Sequence, residues 1–87
     1  MDIEIDQLKK KIIYRSNYRG TREMDKLLGS FTKQNINELD VDDLFNLLNL
    51  LDIDDDNLYN YYKGLKTDIK IEENKVSLLF KKFKINE

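Results

Sequence analysis

No proline interrupts the 87 residues, and only three of them are glycine. Proline removes a backbone donor and clashes with the preceding helical turn, while sheet proteins need many tight turns built on glycine and proline. A chain with so few breakers is predicted to be helical. The apolar residues agree, because they recur every three or four positions and do not alternate. From Ile3 onward, Ile5, Leu8, Ile12 and Ile13 form such a stripe with Lys9, Lys10 and Lys11 on the other side, a first helix ending near Arg15. Turn formers follow in Ser16-Asn17-Tyr18-Arg19-Gly20. Met24, Leu27, Leu28 and Phe31 then resume the stripe until Lys33.

Residues 34–39 read as a polar loop. Asp40 stands three residues before Asp43, an N-cap arrangement opening a third helix with Leu44, Phe45, Leu47, Leu48 and Leu51 as its apolar face. A short fourth helix starts at Asp54 or Asp55, turns Leu58, Tyr61 and Tyr62 inward, and stops before Gly64, which suits the left-handed position after a helix end. The last helix is predicted over 72–84, with Val76, Leu79, Phe80 and Phe83 buried and Lys81, Lys82 and Lys84 at the negative end of its dipole. Ile85, Asn86 and Glu87 are expected to fray. Short links between these elements imply an all-α fold, a compact five-helix bundle. A chain of 87 residues, 40% hydrophobic, has material for one core and not two, so one domain spanning residues 1–87 is expected.

Chemistry is narrowed by what is missing. Without cysteine the chain offers neither disulfides, thiolate metal ligands nor a thiol nucleophile, and without histidine it lacks the commonest neutral-pH base. An enzyme acting alone would have to rely on Asp and Glu pairs. The acidic opening Met1-Asp2-Ile3-Glu4-Ile5-Asp6 is unlike a secretory signal or mitochondrial presequence, and no apolar run approaches the roughly 20 residues that span a bilayer. The expectation is a protein of the bacterial cytoplasm, or of the mitochondrial matrix as a processed form, without membrane insertion.

Charge is uneven. Lys9, Lys10, Lys11, Arg15, Arg19, Arg22 and Lys26 crowd the first two helices, while Glu38, Asp40, Asp42, Asp43, Asp52, Asp54, Asp55 and Asp56 fill the middle. A net charge of -2 gives little general attraction to nucleic acid, but it leaves a local basic face for an acidic partner. Asp52-Ile53-Asp54-Asp55-Asp56-Asn57 begins like a calcium loop and then fails, with Asn57 where glycine is needed and Lys63 where a bidentate glutamate is needed. These acids read as caps of the fourth helix, and no metal site is expected. Among the tyrosines, Tyr61 and Tyr62 follow Leu58 at helical spacing and belong to the core edge with hydroxyls reaching water, whereas Tyr14 and Tyr18 flank the first turn and are the surface candidates.

The segment Tyr14-Arg15-Ser16-Asn17-Tyr18-Arg19-Gly20-Thr21-Arg22-Glu23-Met24-Asp25 is the most informative. Locally, Gly20 permits a bend, and Glu23, three residues on, can fold back as half of a capping box. That leaves Arg15, Arg19 and Arg22 unexplained, since cations oppose the dipole at a helix N-terminus. A recognition surface accounts for them, because guanidinium forks bind carboxylates.

Arg19-Gly20-x-x-Glu23, preceded by Tyr14-Arg15-Ser16 and followed by Met24-Asp25, resembles the signature of the small succinate dehydrogenase flavinylation factors, called SdhE in bacteria and found also in mitochondria. Helix order, Leu47-Leu48-x-x-Leu51 and the run from Asp52 to Leu58-Tyr59-Asn60-Tyr61 extend the likeness over nearly the whole chain. Tyr18 departs where a second arginine is frequent, Thr21 where a larger apolar residue is common, and Tyr61 where tryptophan is usual. The resemblance implies an accessory protein with no catalytic residue and no cofactor of its own. The FAD and the histidine that bonds to it belong to the client, the flavoprotein subunit of succinate dehydrogenase, with the fumarate reductase flavoprotein an open second client. It further implies that Tyr14, Arg15, Tyr18, Arg19, Gly20, Arg22, Glu23 and Asp25 form the partner-binding surface, with Arg19 as outward anchor and Glu23 either orienting Arg19 or pairing with a client cation. The competing reading is a helical adaptor whose basic face docks on an acidic protein or on nucleic acid.

Overall fold

The computed structural model describes residues 4–85. The stretch Met1-Asp2-Ile3 lies outside them, as do Asn86 and Glu87 of the three residues expected to fray, whereas Ile85, the third, packs partly buried against the core. Among the described residues there are five α-helices and no strand: α1 Ile5–Asn17, α2 Arg22–Asn35, α3 Val41–Leu51, α4 Asp55–Lys63 and α5 Lys75–Lys82, with a 3-10 turn at Ile36–Glu38. None of these helices is long and apolar enough to cross a membrane.

Four of the five helix starts are capped by side chains that accept from the backbone N–H three residues on: Thr21 from Met24 at 3.2 Å, Asp40 from Asp43 at 2.8 Å, Asp54 from Asn57 at 3.2 Å and Asn74 from Ser77 at 2.9 Å. Such caps satisfy amide donors that a helix leaves orphaned. Asp40 and Asp54 are the caps expected from the sequence. The capping box expected of Glu23 does not form, because the cap is Thr21 and the third helical position is therefore Met24. Thr21 thus has a structural role. A true box occurs instead at α5, where the Asn74 N–H donates back to Ser77 Oγ at 2.8 Å.

The core is built from Ile12, Leu28, Phe31, Leu44, Leu47, Leu51, Leu58, Val76 and Phe80, all fully buried. Each such side chain contributes roughly 1.5–3 kcal/mol by leaving water. Phe31 of α2 meets Phe80 and Phe83 edge-on at 5.3 and 5.4 Å, which fastens α5 and the residue after it against α2. Helix α1 packs on α2 and α3, and α5 closes over α3 and α4. Between α1 and α2, the buried hydroxyls of Ser16 and Thr32 share a 2.7 Å hydrogen bond.

Four further expectations change. Residues 34–39 are not a loop, because Ile36 and Leu39 are drawn into the core and the Ile36 N–H continues the helical bonding to Thr32. Helix α5 starts at Lys75 and not at residue 72, so residues 64–74 form a link that is not short. Leu79 and Phe45, placed on buried stripes, are substantially exposed, since Val76 and Phe80 fill the α5 contact and Leu44 and Leu47 that of α3. The Tyr61 hydroxyl is enclosed and does not reach water, while that of Tyr62 donates to the Phe83 carbonyl at 2.7 Å. Across α3 and α5, Lys75 Nζ lies 3.2 Å from the largely buried Asp43 carboxylate.

Candidate functional site

Helix α1 ends at Asn17, whose side-chain amide donates to the Ile13 carbonyl at 2.8 Å. Helix α2 starts at Arg22 under its Thr21 cap, so residues 18–21 alone turn the chain between them. Gly20 adopts φ +123°, which side-chain-bearing residues rarely take, and a Cβ built on it would meet nothing within 4 Å. The bend is thus a bare, outward knuckle of backbone.

Arg19 holds it. Its N–H donates to the Asp25 carboxylate in the first turn of α2. Its guanidinium turns inward, with a side chain only 9% exposed. Nε and Nη2 each lie 3.0 Å from Asp55 Oδ1, Nη1 donates to the Leu51 carbonyl, and Nη2 donates to the Ile53 carbonyl at 2.6 Å. Arg15, one helical turn earlier, reaches the same corner, with Nη2 at 2.5 Å from Asp52 Oδ1 and 3.4 Å from the Leu51 carbonyl. Both arginines therefore sit at the C-terminus of α3, where orphaned carbonyls and the negative end of the dipole favour cations.

This corrects the outward-anchor role expected of Arg19: its fork faces the molecule's own α3–α4 corner. Glu23 does not orient it, because Asp55 does. The eight residues singled out from the sequence therefore divide. Tyr14, Tyr18, Gly20, Arg22 and Glu23 are exposed, while Arg19 points inward and Arg15 and Asp25 are partly covered. Tyr14 and Tyr18 stand 64% and 69% exposed with ring centroids 4.7 Å apart, and together with Lys10, Ile13 and Asn17 they line a shallow hollow beside the bend. An exposed aromatic pair next to bare backbone and mixed charge can bind a protein surface through both apolar contact and charged hydrogen bonds.

Sequence reasoning missed Asp52, Asp55 and the carbonyls of Leu51 and Ile53 as partners of the motif. The signal was the excess of acids after α3, more than helix capping alone requires. Asp54 alone makes the cap of α4, and the Asn57 side-chain amide, followed by the Asn57 backbone N–H, holds its pKa below the usual carboxylate value. No group of acids that could hold a metal ion occurs among the described residues.

A family model described as flavinator of succinate dehydrogenase matches residues 10–84. A curated protein of Dictyostelium discoideum, succinate dehydrogenase assembly factor 2, mitochondrial, is 41% identical over 58 residues, covering 67% of this chain. The match spans 41% of that relative's length. No solved structure matches the chain significantly.

Proposed function

The chain belongs to the family of flavinators of succinate dehydrogenase, and from that premise we propose that it is an assembly factor that binds the flavoprotein subunit and promotes covalent attachment of FAD to it. The observation that carries this reading is the match over residues 10–84, which takes in the whole bend together with the corner that holds it. The Dictyostelium relative, named as an assembly factor of the same enzyme, supports it.

In this reading the factor contributes no reacting atom. A chain without histidine or cysteine has neither the side chain that bonds to the flavin nor a thiol nucleophile, and both reacting groups belong to the client. The factor's work is positional. Docking on the client's flavin domain selects one domain arrangement from those the client samples, and the client's imidazole and flavin methyl are then held close and aligned. Gly20, with open space where a side chain would stand, admits the client's backbone. Tyr14 and Tyr18 supply apolar contact, and Arg22 and Glu23 pair with client groups of opposite charge. The compartment is that of the client, the mitochondrial matrix or the bacterial cytoplasm.

The test is to coexpress the succinate dehydrogenase flavoprotein with the chain or with Gly20→Arg, Glu23→Ala or Tyr18→Ala, and to read covalent flavin by fluorescence in denaturing gels. Each substitution is expected to lower labelling while circular dichroism shows an intact helical fold. Undiminished labelling with all three overturns the site. A parallel arm with the fumarate reductase flavoprotein decides whether it too is a client.

A further inference from the structure

Arg19 has almost no donor left to offer. Its guanidinium is engaged by Asp55 and by the Leu51 and Ile53 carbonyls, and its backbone N–H by Asp25. Reaching out to a client would strand the Ile53 carbonyl and the Asp55 carboxylate, whose side chain is itself only 26% exposed, and would leave the Leu51 carbonyl to Arg15 alone. The bend meanwhile has little else to define it. Tyr18 closes α1 with φ -130° and ψ 66°, no regular helix-ending conformation, and Gly20 brings the freedom of a residue without Cβ. One residue thus ties the bend to three elements: to α2 through its amide, and to the end of α3 and the first turn of α4 through its fork.

Resting on the function proposed above, we infer that Arg19 is a positioning residue that does not touch the client, and that Asp55, outside the motif, is its working counterpart. The pair latches the bend to the α3–α4 corner in the shape that the client reads. Binding strength then depends on how much of the free factor is already latched. A ligand that recognises one conformer has its apparent affinity reduced by the fraction of molecules in that conformer. Unlatching costs affinity and not the rate of the bound complex, because the client's own groups do the chemistry.

The test follows covalent flavin formation on the client flavoprotein as a function of factor concentration, with wild type, Asp55→Asn and Asp55→Glu. If Asp55→Asn leaves about one molecule in ten latched, the half-saturating concentration rises about tenfold while the limiting rate holds. Asp55→Glu, which keeps the charge, recovers part of the loss. The Arg19→Ala and Asp55→Ala effects are expected to be strongly non-additive in the double variant. If Arg19 instead contacted the client, Asp55→Asn would free its fork, so an unchanged or lower half-saturating concentration overturns the proposal, as does additivity.

Amide hydrogen exchange keeps the latch testable apart from activity. In Asp55→Asn the Arg19 amide should exchange faster while the amides of α3 and α5 stay protected. Unchanged exchange at Arg19 overturns the latch. A wild-type chain that does not stimulate flavin attachment sinks the proposed function instead, and exchange then judges the latch alone.

Discussion

Gly20 and Gly64 both occupy positive φ, at +123° and +73°, and both face open space, yet their turns are held in different ways. At Gly64 the turn is closed by its own neighbours. The Gly64 N–H donates to Tyr61 at 3.1 Å and the Leu65 N–H to Asn60 at 2.7 Å, the paired bonds of a Schellman helix end. At Gly20 the turn is held by a side chain whose ion-pair partner, Asp55, lies 36 residues further along the chain. A turn closed by local backbone bonds forms wherever its helix forms, whatever the rest of the molecule does. A turn closed by a charged side chain across the fold forms only when the fold is complete, and its shape can be shifted by changes at a distant corner.

The sharpest way to break this contrast is Arg19→Ala. It leaves Asp55 and the Ile53 carbonyl without their partner and the Leu51 carbonyl with only the 3.4 Å bond from Arg15, and losing one side of a largely buried pair costs about 3 kcal/mol. In a domain of this size that lowers the thermal midpoint by on the order of 15 °C. A loss below about 1 kcal/mol in denaturant titration would put the bend back among locally closed turns.

Next come the glycines themselves. Alanine at Gly64, in the left-handed well, costs about 1–2 kcal/mol, and at Gly20, whose φ of +123° lies beyond that well, it costs at least as much. The two variants should part most in function, with only Gly20→Ala raising the half-saturating concentration for flavin attachment. Equal effects on the client would erase the distinction between the turns.

Arg15→Ala sharpens the comparison from below. Its pair with Asp52 is far more exposed, at 32% and 62% of the two side chains. Such pairs are worth under about 1 kcal/mol, and double-mutant cycles should rank it well behind Arg19–Asp55.

The smallest effect concerns acid. Asp54 titrates below the usual carboxylate value because its charged form accepts from Asn57. Its contribution to stability is therefore complete above the ordinary carboxylate range and is lost as pH falls through its lowered folded value. Asp54→Ala should flatten that acid limb in pH-dependent unfolding and leave the neutral-pH bend untouched. A limb of unchanged slope would mean that other carboxylates carry it.

Much of this molecule was readable along the chain. The cap roles of Asp40 and Asp54, the glycine stop at Gly64, the inward stripe of Leu27, Leu28 and Phe31, and the exposure of Tyr14 and Tyr18 all depend on residues within a turn or two of one another. Helical period and capping chemistry act over that range, so they can be read in one dimension. What three dimensions added was the other side of each contact. Period says which way Phe45 and Leu79 lean but not how wide a strip the neighbouring helix covers, and both ended substantially exposed. Ile36 and Leu39 looked like loop until a core existed for them to enter. Arg19 had the charge and reach of a surface anchor, and it turned inward because folding brings the end of α3 and the first turn of α4 beside it. Coulomb attraction and hydrogen bonding depend on separation in space, and spacing along the chain does not give that separation.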